Sequence, residues 1–220
     1  MIDAVVFDLD GLLLDTEQLW DEVREQLAHE RGGRWHEGAQ ADMMGMSSPE
    51  WSRYMHERIG LREPPEEIAA EVVQRMEDRY RDRLPLLPGA RGAVERLAAR
   101  WPLGLASSSN RPLIDLALEV GELAPLFRAT VSSEEVPRGK PAPDVYVEAC
   151  VRLGVDARRA AAIEDSRNGI LAGRAAGMRV VAIPNARFPP GPEALAAADV
   201  VLASIDDLTP QAVEGGDPGE

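Results

Sequence analysis

The sequence predicts an α/β fold, a parallel sheet with helices on both faces and a helical segment inserted after the first strand. Three observations carry this. Short apolar, β-branched runs recur along the chain, helical patterns separate them, and the stretch between the first run and the second offers helical patterns but no convincing strand. Parallel strands need long crossover connections, which the alternation supplies. In such sheets ligands sit at the carboxyl ends of the strands.

The first run, residues 2–7, is Ile-Asp-Ala-Val-Val-Phe and ends at Asp8, which reads as a buried strand with chemistry at its carboxyl end. Residues 103–107, 129–132, 160–164, 179–183 and 200–202 read as further strands. Helical patterns at 89–100, 110–120, 143–153 and 167–176 lie between them. From Thr16 to Leu87 the alternation breaks, with helical patterns near 16–31, 48–59 and 66–83. The chain therefore divides into an α/β core of residues 1–15 and 88–210, a helical cap of residues 16–87, and a flexible tail of residues 211–220. Asp15, with Gln18 three residues on, resembles an N-cap and its capping partner for the first cap helix. Pro-Leu-Leu-Pro-Gly at 85–89 returns the chain to the core, and both connections are candidate hinges.

A chain of 220 residues can form one sizeable core plus an insertion. No apolar run approaches the roughly 20 residues of a membrane span, so no membrane partner is expected. The amino terminus enters a strand directly, without the features of a signal peptide, which places the chain in the cytoplasm. The single cysteine, Cys150, excludes an internal disulfide or a cysteine-based zinc site and sits in an apolar helical pattern suited to core packing. With 38 acidic residues against 24 basic, the net charge of −14 repels polyanions and argues against a nucleic-acid partner. No long exposed apolar stripe is evident, so a monomer is expected. The basic residues are 23 arginines and one lysine, Lys140. Either a compact ammonium on a flexible stem is needed at that position, or the lysine is a chance survivor at a surface turn.

Four motifs fall at successive strand ends. Asp8-Leu9-Asp10-Gly11 places two carboxylates where the strand stops, one able to attack and the other to handle protons. A carboxylate nucleophile on phosphorus gives an acyl phosphate, and the charge gathered there calls for a hard divalent cation; Mg2+ suits, holding few carboxylates and keeping waters. The alternative is an acidic turn. Ser107, Ser108 and Ser109 end the next core strand and begin a helix, where hydroxyls and N–H groups can hold a phosphate oxygen or simply cap the helix. Gly139-Lys140-Pro141 sets the lone lysine in a Pro-rich turn that limits where the ammonium can reach, so it could neutralise both nucleophile and transferring group. Glu164-Asp165-Ser166 puts adjacent carboxylates at a strand end, which a cation would compensate, while Asp165 or Ser166 can also cap the following helix.

The stretches FDLDGLLLDTE, LASSSN, GKPAPDVY and IEDSRNGILAGRAAGM together resemble the haloacid dehalogenase superfamily, in the branch with a helical cap after the first motif that includes β-phosphoglucomutase and phosphoglycolate phosphatase. The resemblance spans nearly the whole chain and implies a Rossmann-like core. It also implies that Asp8 is the nucleophile and a magnesium ligand, and that Asp10 protonates the leaving oxygen, later activates water and offers its backbone carbonyl to the metal. Ser107 and Ser108 would bind the transferring phosphate, Lys140 would secure it, Asp165 would bind the metal, and Glu164 would do so directly or through water. The true dehalogenases of the superfamily lack an aspartate at the position of Asp10 and work without metal, so Asp10 disfavours dehalogenation here.

The mutase pattern carries a histidine where Trp20 aligns and an arginine, gripping a second phosphate, where Ser48 aligns. Their loss ranks a phosphatase acting on a sugar or polyol phosphate above a mutase, with a non-catalytic phosphometabolite-binding protein as a further alternative. In the cap, Trp20, Met43, Met44, Met46, Ser47 and Trp51 are candidates for a substrate pocket, or for packing between cap helices. His29, His36 and His56 read as surface residues without a carboxylate partner.

Overall fold

The computed structural model describes all residues except 44, 45, 187 and 216–220. Six strands, β1 (Ala4–Phe7), β2 (Leu103–Ser107), β3 (Phe127–Ser132), β4 (Ala160–Glu164), β5 (Arg179–Ala182) and β6 (Val200–Val201), form one sheet in the order β3-β2-β1-β4-β5-β6. Every neighbouring pair is parallel. The chain runs outward from β1 through β2 to β3, then crosses back to β4 on the other side. That reversal opens a crevice at the carboxyl end of β1.

Between β1 and β2 the chain is helical: α1 (Glu17–Glu30), α2 (Ala39–Met43), α3 (Ser48–Tyr54), a π turn (Met55–Ile59) and α4 (Pro65–Asp82). The remaining helices are α5 (Ala90–Ala98), α6 (Arg111–Val120), α7 (Asp144–Leu153), α8 (Arg167–Ala175) and the short α9 (Pro192–Leu195) and α10 (Pro210–Glu214). Alternate strand residues face opposite sides of the sheet and are buried on both. Val5, Phe7, Leu103 and Ile163 join a cluster with Val94 and Leu97 of α5 and Leu113 and Ile114 of α6. Ala4, Val6 and Ala162 face the other way, with Tyr146, Ala149 and Cys150 of α7. The core role expected for Cys150 is the one observed.

In the inserted segment, α1 buries Trp20, Val23, Arg24 and Leu27, the spacing of one helical face. Helix α4 packs against it through Ile68, Val72, Met76 and Tyr80. The outgoing and returning chains run side by side, with the Asp15 N–H donating to the Pro85 carbonyl (2.8 Å) and the Leu87 N–H to the Leu13 carbonyl (2.9 Å).

The sequence reading needs correction at four places. Helix α1 has Thr16, not Asp15, at its N-cap, because the Thr16 hydroxyl donates to Asp10 Oδ1 (2.8 Å), leaving Asp15 exposed and Gln18 bonded to Glu22 (2.9 Å). The pattern at 48–59 splits into α3 and a wide turn, which closes where the N–H of Gly60, at φ 86°, donates to the Met55 carbonyl. Helix α2 is too short to show a period in the sequence. Residues 211–214, expected in the tail, belong to α10, which Thr209 caps and which buries Val213 against the core.

Candidate active site

The β1 ladder stops just past Phe7, where the Asp8 N–H still donates to the Ile163 carbonyl (3.0 Å) and its side chain turns into the crevice. On the neighbouring strand, Glu164 is the last residue of β4 and Asp165 follows. Lys140 enters from the loop before α7. Its Nζ donates to Asp8 Oδ1 and to Glu164 Oε1, both at 2.5 Å. The Tyr146 hydroxyl donates to the same Glu164 oxygen (2.7 Å). Glu164 Oε2 accepts from the Asp165 N–H (3.1 Å), the Ser166 N–H (3.3 Å) and the Ser166 hydroxyl (3.1 Å). Asp8, Lys140, Glu164 and Asp165 are all buried, which rules out the surface-turn reading of the lysine.

Three buried carboxylates around one ammonium leave an excess of negative charge. Burial, only partly opposed by Lys140, pushes Asp8 well above the usual carboxylate range. Burial and the neighbouring Glu164 do the same to Asp165. For Lys140, burial works to lower the pKa, but the adjacent Asp8 and Glu164 outweigh it and hold the ammonium above its ordinary value. Asp165 Oδ1 is buried without a hydrogen-bond partner among the described residues. One oxygen each from Asp8, Glu164 and Asp165 lies within 4.8 Å of the others. The orphaned oxygen and the all-oxygen donor set fit a hard divalent cation.

Asp10 faces the inserted helices. Its Oδ1 accepts from Thr16 (2.8 Å) and from Trp20 Nε1 (3.5 Å), and its Oδ2 from the hydroxyls of Ser107 (3.2 Å) and Ser109 (2.7 Å). The turn between Asp8 and the first helix depends on Gly11, at φ 82°, where a Cβ would stand 2.2 Å from Asp165 Oδ2. The glycine of the first motif is thus what lets the β1 and β4 carboxylates approach each other.

The cavity above this cluster is about 60 Å³ and is lined by Asp8, Asp10, Lys140 and Ser108 below and by Trp20, Met43, Met46 and Trp51 above. Ser107 lies beneath it, its hydroxyl engaged with Asp10 and with the Ser109 N–H (2.9 Å). Ser47 does not line it: the Ser47 N–H and hydroxyl donate to Glu50 Oε2 (2.7 and 2.6 Å), capping α3. Met44 lies outside the described residues. Ser48 lines the cavity and donates to Asn110 Oδ1 (2.7 Å), tying α3 to the N-cap of α6. The histidines stand apart from the cavity, though His29 does have a carboxylate partner, Glu25, at 3.3 Å on the exposed face of α1.

Sequence reading missed Glu17 and Arg24, which also line the cavity, as do Ser109 and Asn110 of the second motif. Arg24 is 5% exposed, with its guanidinium 4.6 and 4.7 Å from the ring centroids of Trp20 and Trp51. Its signal was available: an arginine four residues after Trp20 and three before Leu27 occupies the apolar stripe of α1.

A parallel sheet with a carboxylate cluster at its reversal point, beneath an inserted helical cap, defines a class of α/β proteins. Within that class, the chain belongs to the haloacid dehalogenase-like hydrolases, whose family model matches residues 2–177. It is 34% identical over 211 residues to hexitol phosphatase B of Escherichia coli (strain K12), covering 94% of each chain. It is 32% identical to (DL)-glycerol-3-phosphatase 2 of Arabidopsis thaliana, covering 96% of this chain and 90% of that one. Among solved structures, CbbY from Rhodobacter sphaeroides in complex with phosphate superposes with a TM-score of 0.86 at 26% identity, covering 97% of this chain and 100% of that one.

Proposed function

We propose that the protein is a Mg2+-dependent phosphatase of small sugar or polyol phosphates that works through an aspartyl-phosphate on Asp8. The observation that carries this is the Asp8–Lys140–Glu164–Asp165 cluster with its orphaned Asp165 oxygen. The family match and the phosphatase relatives support the same reaction.

Asp8 attacks phosphorus, forming one O–P bond as the bond to the substrate's alkoxide oxygen breaks. Asp10, two residues on and held by four donors, gives that oxygen its proton and then takes one from the water that hydrolyses the acyl phosphate. Lys140 offsets the charge on the nucleophile and on the phosphoryl oxygens, and Glu164 holds Lys140 in place. Ser108 and the N–H groups opening α6 receive phosphate oxygens, while Ser107 orients Asp10 from below. Asp8, Asp165 and the Asp10 backbone carbonyl would hold Mg2+, with Glu164 as an indirect member because protein donors already occupy both its oxygens. When bound, the ion supplies positive charge against the phosphoryl group.

Residues 16–87 act as the cap and residues 1–15 and 88–214 as the core. A cavity of about 60 Å³ is far below the several hundred Å³ of a small-molecule site, so the cap opens to admit substrate and the Ser48–Asn110 bond belongs to the closed form. Where the mutase pattern has an arginine, this chain spends Ser48 on that bond, which favours hydrolysis. The test is phosphate release from sorbitol 6-phosphate, glycerol 3-phosphate, phosphoglycolate and β-glucose 1-phosphate, with Mg2+ or EDTA. Magnesium-dependent release is expected; conversion of β-glucose 1-phosphate to the 6-phosphate without release would assign a mutase instead.

A further inference from the structure

We propose that Arg24 binds a second anionic group on the substrate, at the end remote from Lys140, so that phosphorylated sugar acids or sugar bisphosphates are preferred over neutral polyol phosphates. The inference rests on the phosphatase reading for its chemistry but concerns only what the cap recognises.

Among the described residues, Arg24 is a buried cation without an ion-pair partner. Among the described residues its one hydrogen-bond acceptor is an uncharged amide oxygen, Gln40 Oε1 at 3.2 Å, and no carboxylate lies within ion-pair distance. Its Nε is buried with no hydrogen-bond partner among the described residues. Charges taken from water are normally paired, since an isolated one costs several kcal/mol. The indole rings of Trp20 and Trp51 flank the guanidinium and fix its orientation, but they supply no lone pair to the unused N–H groups.

The surrounding carboxylates do not fill that gap. Glu17, whose charge acts most strongly on Arg24, is hydrogen-bonded to it only through Gln40, whose Nε2 donates to Glu17 Oε2 (3.0 Å). Burial and the Asp10 charge raise Glu17 to about 7, so at neutral pH it is only partly ionised. For Arg24, burial lowers the pKa to about 10 despite Glu17, Asp10 and Asp21, and it stays charged at neutral pH, with those carboxylates acting on it from beyond ion-pair distance. The upper part of the cavity therefore sets the Arg24 guanidinium between aromatic rings beside a partly ionised Glu17, while the lower part holds Lys140, Asp8 and Asp10. A guanidinium with a free edge is a fork for the paired oxygens of a carboxylate or phosphate, and a hydroxyl would leave the charge unmet.

The test is equilibrium binding by calorimetry to the Asp8→Asn protein with Mg2+. The ligands are sorbitol 6-phosphate, 6-phosphogluconate and fructose 1,6-bisphosphate, measured again after adding Arg24→Met or Arg24→Lys. At least one doubly anionic ligand should bind about 10-fold or more tighter than sorbitol 6-phosphate, the advantage of a charge-assisted pair. Arg24→Met should reduce that ratio to about 2 or less, and Arg24→Lys should keep an intermediate ratio. The two anionic ligands separate a carboxylate from a phosphate preference. Equal binding of all three ligands, no binding of any, or an equal loss for all three on Arg24→Met would overturn the inference, the last marking a purely structural arginine. Turnover by the unaltered enzyme distinguishes the two failures: hydrolysis without preference removes this inference alone, and absence of hydrolysis removes the phosphatase.

Discussion

Replacing Lys140 by methionine keeps roughly the length of the side chain and removes its charge, leaving Asp8, Glu164 and Asp165 together with no cation. The ammonium is 3% exposed and makes two 2.5 Å ion pairs, so this is the loss of one partner from a buried network, which costs about 3–5 kcal/mol. For a chain of this size that corresponds to a fall of roughly 6–20 °C in melting temperature. The deficit depends on pH. Asp8 and Asp165 already have raised pKa values, chiefly from burial, with Lys140 opposing the rise. Without the lysine they rise further. A carboxyl whose folded pKa exceeds its unfolded value weakens folding as pH climbs from the unfolded value through the folded one, and the penalty is relieved on acidification. Urea unfolding in EDTA should therefore show a small deficit for Lys140→Met near pH 5 and the full one at pH 8, part of it recovered on adding Mg2+. A loss below about 1 kcal/mol at pH 8, or an equal loss at both pH values, would refute the reasoning.

Two glycines separate site packing from helix propensity. A Cβ at Gly169 would stand 1.7 Å from Glu164 Oε1, so Gly169→Ala should displace Glu164, destabilise the protein by about 3 kcal/mol and lower turnover at least 100-fold, read by thermal unfolding and phosphate release. Gly92, exposed within α5 with nothing in the way of a Cβ, should gain about 0.5–1 kcal/mol as Gly92→Ala in the same unfolding assay. Glu17, raised by burial from 4.5 to about 7, weakens folding as pH rises across that interval. Glu17→Gln should accordingly match the parent in urea unfolding free energy near pH 4 and exceed it by about 3 kcal/mol at pH 8, while equal stability at pH 8 would contradict the burial argument.

The α/β class is legible in this sequence because parallel strands are short apolar runs, although the runs at β5 and β6 continue to Ile183 and Leu202, one residue past each strand. Asp8, Glu164 and Asp165 meet because the strand order brings β1 and β4 together, and Lys140 reaches them from the loop before α7, neither of which spacing alone states. Consecutive serines hide their roles: only the local turn decides that the Ser107 and Ser109 hydroxyls reach Asp10 while Ser108 faces the cavity. Ser47 was credited to the pocket because its position beside the methionines suggests it, but Glu50 three residues on draws it into a cap. Arg24 is the instructive omission. In a chain with 23 arginines one more on a helix looks like solvent-facing charge, and only its place in the apolar stripe of α1 sets it apart.

The most direct test of the central claim is to quench the enzyme in acid during turnover of sorbitol 6-phosphate carrying radiolabelled phosphate, with Mg2+ present, and to ask where label is retained. The account predicts label on the peptide containing Asp8, none in EDTA and none in Asp8→Asn. Phosphate release from the unaltered enzyme with no label on that peptide under any quench time, or undiminished release by Asp8→Asn, would contradict it.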